Sequence, residues 1–136
     1  MTDLLSMGQH VLAQQSFGRL LGTQLIAYDN ELVELRLPLR EDLLQQNDFA
    51  HGGVLSYLAD NALTFAGASR LGLAVLTAEY KINYLRPAVG SALIARASVI
   101  YAGKTLATCR SDVFSVSADG VEKLCATAQG TIAKVG

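Results

Sequence analysis

The chain has 136 residues, of which 51% are hydrophobic and only 17% charged, with 11 Lys+Arg set against 12 Asp+Glu. A formal net charge of −1 gives no electrostatic basis for nucleic acid or an anionic membrane surface as the main partner. No apolar run nears the ~20 residues that cross a bilayer, and the N-terminal stretch lacks the basic flank and unbroken apolar core of a signal peptide.

A single domain over residues 1–136 in the cytoplasm is therefore expected, long enough to bury a real core. With so few charges, part of its surface should be covered by other subunits, as a homodimer or a dimer of dimers. The two cysteines, Cys109 and Cys125, fit no zinc or redox spacing and fall in strand-like segments, so they read as reduced packing residues. The two histidines, His10 and His51, form no metal-ligand cluster, and neither a metal nor a cofactor is expected.

Residues 3–17 carry a helical pattern in which Leu4, Met7, Val11 and Gln14 share a face. Residues 22–38 read as a hairpin about Asp29-Asn30, because Val33, Leu35 and Leu37 alternate with Glu34 and Arg36. Next comes "HGGVLSYLADNALTFAG", a helix that begins near Gly52 and ends near Gly67 or Gly72. Everything after it has strand character. "TAEYKINYLRP" alternates Ala78, Tyr80, Ile82 and Tyr84 against Glu79, Lys81 and Asn83. Two long strands follow about an Ala102-Gly103-Lys104 turn, and a last strand follows "SADG". The order predicts an α+β fold, with a long antiparallel sheet wrapped around one central helix and an additional N-terminal helix.

On the central helix Leu55, Leu58, Ala59, Ala62, Phe65 and Ala66 gather on one broad face. Ser56, Asp60 and Thr64 stack on the opposite face at four-residue spacing. Asp60 is the only charge in this stretch after His51, whereas a solvent-facing helix carries several. A face this poor in charge should meet protein, and a carboxylate on it must be hydrogen-bonded or serve chemistry. "HGG" at the helix start adds a second element. Glycines let a substrate approach the backbone, and first-turn N–H groups lie unpaired at the positive end of the helix dipole, where they suit a developing oxyanion.

The run "NDFAHGGVLSYLADNA" followed by "TAEYKINYLRPA" resembles the hotdog-fold acyl-CoA thioesterases, specifically the PaaI-type branch of phenylacetic acid degradation. The resemblance covers about residues 18–134 and includes the His51-to-Asp60 spacing. It implies an acyl-CoA thioesterase that releases a carboxylic acid and free coenzyme A. Asp60 is implied as base or nucleophile, and the Gly53 N–H as donor to the thioester oxygen. His51 and Asn47 would orient substrate or water, and Thr77 would come from the facing subunit. Gly52 and Asn61 belong to the implied substrate- or CoA-binding set. Arg86 and Lys104, with Arg70 behind them, are candidate contacts for the CoA phosphates. Two competing readings are a hotdog hydratase or dehydratase pairing His51 with Asp60, and a non-catalytic acyl-CoA-binding module.

Overall fold

A computed structural model describes residues 3–136. Two helices open the chain, α1 (Leu4–Gln14) and α2 (Ser16–Leu21), followed by the hairpin β1 (Gln24–Tyr28) and β2 (Val33–Pro38). A short 3-10 turn, Glu41–Leu43, leads to the long helix α3 (Gly52–Leu71). Four strands complete the fold: β3 (Val75–Tyr84), β4 (Ala92–Ala102), β5 (Leu106–Val116) and β6 (Glu122–Lys134). All six strands form one antiparallel sheet in the order β1-β2-β4-β5-β6-β3, so β1 and β3 are its edges. Among the described residues no helix is long and apolar enough to cross a membrane.

The N-terminal region differs from the single helix expected over residues 3–17. The helix breaks at Gln15, which has extended backbone angles and starts α2. Its buried face is also rotated: Gly8 and Leu12 are buried, whereas Met7 is exposed. The cause is Gly8, where an added Cβ would lie 2.6 Å from the side chains of both Leu25 and Tyr28. The missing side chain lets β1 press against α1. Helix α2 ends at Gly22 in the left-handed region, with its N–H on Gly18 O, as helix C-termini commonly do.

The hairpin and the later strands match their expected positions. Asp29 closes the first turn by accepting from Glu31 N at 2.8 Å and Leu32 N at 2.9 Å. Helix α3 lies against one face of the sheet and contacts β2 through β6. Leu58, Ala59, Ala62 and Leu63 are fully buried there, against Leu35, Leu37, Leu93, Val113 and Ile132. The small residues of α3 allow this close approach, and Gly67 is the extreme case. A Cβ at Gly67 would sit 2.6 Å from Cβ and Cγ2 of Ile132. Cys109 and Cys125 are free and buried, and burial pushes the Cys109 thiol up to about 11.

The other sheet face is polar. Arg96 pairs with Glu34 at 2.8 Å and with Glu122 at 2.7 Å, and lies over the Phe114 ring. The hydrogen bonds from Arg96 hold Glu122 below its ordinary carboxylate range. That contribution is present above the usual glutamate value and is lost as pH falls through the depressed one. Solvent screening keeps it small.

Gly67→Ala tests the packing of α3. Alanine favours a helix by about 1 kcal/mol over glycine, but overpacking costs about 1–3 kcal/mol. The blocking atoms belong to the branched base of Ile132, which has little room to move, so the denaturation midpoint should fall. A higher midpoint would show that β6 yields easily and that contact at Gly67 does not set the helix position.

Candidate active site

Helix α3 is capped by His51, whose imidazole Nδ1 accepts from the Gly53 N–H at 2.8 Å. Neutral His51 in this contact carries its proton on Nε2. The Val54 and Leu55 N–H groups point back to His51 O, leaving the Gly52 N–H without a partner among the described residues. Tyr84 closes over this end of the helix, and its hydroxyl donates to Gly52 O at 3.3 Å. An open groove of about 480 Å³ runs past the same end, walled by Phe49, Gly52, Leu55, Tyr84 and Arg86.

Asp60 lies seven residues beyond Gly53 on the same side of the helix, about 10 Å along its axis at 1.5 Å per residue. It is half-buried, and Thr77 of the same chain donates to its Oδ1 at 2.7 Å. The other carboxylate oxygen makes no hydrogen bond to the described residues, and Asp60 forms no ion pair among them. Thr64 Oγ1 lies 3.0 Å from Thr77 Oγ1 and donates to Asp60 O at 2.9 Å. The Thr77 proton goes to the carboxylate, and the single Thr64 proton is shared between Asp60 O and Thr77 Oγ1.

A β-bulge makes this contact possible. The pairing of β3 with β6 slips between Thr77 and Glu79, so Ala78 is an extra residue. Thr77 and Tyr80 are three apart and would face opposite sides of a regular strand. Across the bulge both face α3: Thr77 meets Asp60 and Thr64, and Tyr80 meets Ser56. Each polar residue of the second helix face, Ser56, Asp60 and Thr64, therefore has a hydroxyl partner on β3. Thr77 contacts the acid of its own chain, and the second helix face meets protein, as expected, in the chain's own edge strand.

The remaining candidates are dispersed. Gly52 and Arg86 meet in the groove at the start of α3. Asn47 is exposed in the preceding loop, and its side chain makes no hydrogen bond to the described residues. Arg70, in the last turn of α3, donates to Asn30 O at 3.0 Å. Lys104 is exposed in the β4–β5 turn, whose neighbour Thr105 accepts from Lys134, the residue opposite Val75 at the start of β3. Both therefore sit at the opposite end of α3 from Arg86. Asn61 is buried on the side toward the N-terminal helices, donating to Gln15 Oε1 and to the Tyr57 hydroxyl. Thr64, Tyr80 and Tyr84 had not been singled out. Thr64 carried a signal in its place on the Asp60 face, but the two tyrosines are indistinguishable from other strand aromatics in sequence.

A long helix cradled by an antiparallel sheet, with a held carboxylate two turns from its N-terminus, is the hotdog thioesterase architecture. The chain belongs to the thioesterase superfamily, whose family model matches residues 47–121. Its likeness to the PaaI-type branch is borne out by a relative of that type. Acyl-coenzyme A thioesterase PaaI of Escherichia coli is 34% identical over 85 residues, spanning 62% of this chain and 60% of that enzyme. A relative from Deinococcus radiodurans is also 34% identical, over 72% of this chain and 66% of its own. The chain thus spans less than two thirds of the length of both. Among solved structures, a thioesterase family protein from Silicibacter pomeroyi superposes with a TM-score of 0.91 at 31% identity, covering 98% of this chain and 100% of that one.

Thr77→Val keeps the shape of the side chain and removes its donor. It should lower kcat about tenfold or more, with an unchanged melting profile, while Thr77→Ser retains most activity. Equal activity of the valine and serine variants would show that the hydrogen bond to Asp60 has no part in turnover.

Proposed function

We propose that the protein hydrolyses an acyl-CoA thioester to a carboxylic acid and free coenzyme A in the cytoplasm. The Asp60 carboxylate, fixed through one oxygen by Thr77 and open at the other, carries this reading. A thioester carbonyl is already electrophilic. A positioned base or nucleophile and a donor to the developing oxyanion are enough to turn it over, with no metal in the scheme. Asp60 acts through its open oxygen, either on a water molecule or on the carbonyl carbon. Gly53 supplies the oxyanion donor once the His51 ring swings off its N–H, and Gly52 offers a second N–H beside it. His51 and Asn47 then orient water or substrate. The groove beside Gly52 suits the pantetheine arm, with Arg86 near its mouth for a phosphate and Lys104 available from another subunit.

The helix geometry bears on how many chains build one site. About 10 Å of helix separates Gly53 from Asp60, more than a single carbonyl and one water bridge. Two copies with antiparallel α3 helices, related by a two-fold axis near Ser56, bring Gly53 of one opposite Asp60 of the other. The edge strand β3 supports this arrangement, because its ten residues leave a row of unpaired backbone groups and expose Leu76 at 63%. We infer a homodimer with two sites, each combining Asp60 and Thr77 from one subunit with His51 and Gly53 from its partner. A dimer of dimers would cover further apolar surface.

Thiol release from a panel of acyl-CoA esters tests the activity directly. A hydratase would consume an unsaturated acyl-CoA without releasing thiol, and a binding module would do neither. Asp60→Asn should reduce kcat by ~10²–10⁴ while leaving the fold intact. Near-native turnover in that variant would remove Asp60 from the chemistry.

Mixing variants tests the shared site. Asp60→Asn combined with Gly53→Val should regain about a quarter of native activity, because half the dimers are mixed and each holds one intact site. Asp60→Asn combined with Thr77→Val should regain nothing, since both residues serve the same half. Recovery in the second mixture and not the first would overturn the arrangement.

A further inference from the structure

One turn of helix before Asp60, on the same face, the Ser56 hydroxyl is hydrogen-bonded to the Tyr80 hydroxyl. Thr64 and Thr77 hold the acid from the other direction, one turn beyond it along α3. Asp60 is therefore flanked by two pairs of hydroxyls, and only the second pair is bonded to it. Among the described residues no hydrogen bond joins the carboxylate to Ser56 or Tyr80. Residues four apart on a helix carry Cβ atoms about 5–6 Å apart, a gap that one water molecule closes with two hydrogen bonds of about 2.8 Å.

The orientation of Ser56 is the telling observation. A hydroxyl in mid-helix commonly turns back to the carbonyl four residues earlier, as Thr64 does to Asp60 O at 2.9 Å. Ser56 makes no such bond to Gly52 O among the described residues and is turned to Tyr80 instead. Tyr80 faces α3 together with Thr77 only because of the bulge at Ala78. Its ring packs against the core, and its only hydrogen bond among the described residues goes to Ser56. Two hydroxyls own two hydrogens, and one is spent between them. A phenol is the stronger donor, so Tyr80 donates to Ser56 Oγ and the Ser56 hydrogen is left free. Ser56, Asp60 and Tyr80 are all half-buried, so this strip of the helix is open to water.

We propose that Ser56, held in place by Tyr80, seats the water that is consumed in hydrolysis against the open oxygen of Asp60. The proposal rests on the thioesterase reading above and selects its water route. Such a water accepts the Ser56 hydrogen and donates one of its own to Asp60, which leaves a lone pair for the carbonyl carbon. The water oxygen then bonds to that carbon while Asp60 takes its proton. The C–S bond breaks with its electron pair on sulfur, and the proton passes from Asp60 to the thiolate. Ser56 keeps its own proton throughout and touches the reacting water. Tyr80 is a positioning residue that acts through Ser56.

Thiol release from acyl-CoA esters by Ser56→Ala and Tyr80→Phe tests the assignment. Each variant should lower kcat about ten- to a hundredfold with KM and melting profile unchanged. The double variant should fall no further than Ser56→Ala alone, because Tyr80 acts only through that serine. Single turnover in heavy-oxygen water should label the product acid and leave Asp60 unlabelled. Near-native kcat in either single variant, multiplying losses in the double variant, or label in Asp60 overturns the proposal. A crystal structure of the unliganded protein separates the water seat from the activity. It should show a water bridging Ser56 Oγ and Asp60 in the native protein, lost in Tyr80→Phe, where Ser56 turns back to Gly52 O. Thiol release without that water refutes the seat and leaves the hydrolysis reading intact. A bridging water in a protein that cleaves no ester refutes the hydrolysis reading, and with it the catalytic role given to the water.

Discussion

Close contact between α3 and the sheet is the constraint on which the rest of the molecule depends. A helix with ordinary side chains on its inner face would ride higher, beyond hydroxyl reach of β3. Alanines at positions 59, 62 and 66, and the bare backbone at Gly67 against Ile132, bring it in. Only at this separation can Thr77 reach the Asp60 carboxylate and Tyr80 reach Ser56. The apolar core thereby sets the polar contacts, and it does so through atoms that are missing.

That constraint also explains how one carboxylate persists in a helix with so little charge. A buried acid without partners would be neutralised or would destabilise the fold. Here its open side keeps partial access to solvent, and the Thr77 hydroxyl satisfies the closed side. The N-terminal end of the helix is organised on the same economy. His51 occupies the Gly53 N–H, so that donor is satisfied without an anion. In the proposed mechanism, substrate binding exchanges one partner for another instead of filling an empty site. Such an exchange involves a small side-chain rotation on an exposed residue.

Much of this was readable from the chain alone, and the failures have physical causes. The central helix, the hairpin and the four later strands follow from hydrophobic period and turn residues, because their patterns are long and uninterrupted. The mid-helix acid stood out through the absence of neighbouring charge. Thr77 was named through the family resemblance alone, and its contact with Asp60 of the same chain was not legible, because period-two reasoning assigns Thr77 and Tyr80 to opposite faces. A single extra residue at Ala78 reverses that assignment, and no local residue preference marks it. The rotated face of α1 escaped for a related reason. Apolar periodicity rewards large residues and gives no credit to Gly8, although its small size is what lets β1 and α1 meet. Asn61 adjoins Asp60 in the sequence, yet adjacent helix positions point about 100° apart. It faces the N-terminal helices instead.

The two edges of the sheet are unequal, and that inequality limits how copies can be added. One edge, β1, has only five residues, is irregular between Leu25 and Ala27, and has α1 packed against it. The other, β3, is twice as long. Head-to-tail growth of a continuous ribbon needs two compatible edges on every copy, and this chain offers one long edge. Any strand-to-strand pairing through β3 would therefore join like to like and end there, as a closed two-fold pair. A protein with a long open strand at its margin is in this way protected against indefinite polymerisation by the poverty of its opposite margin.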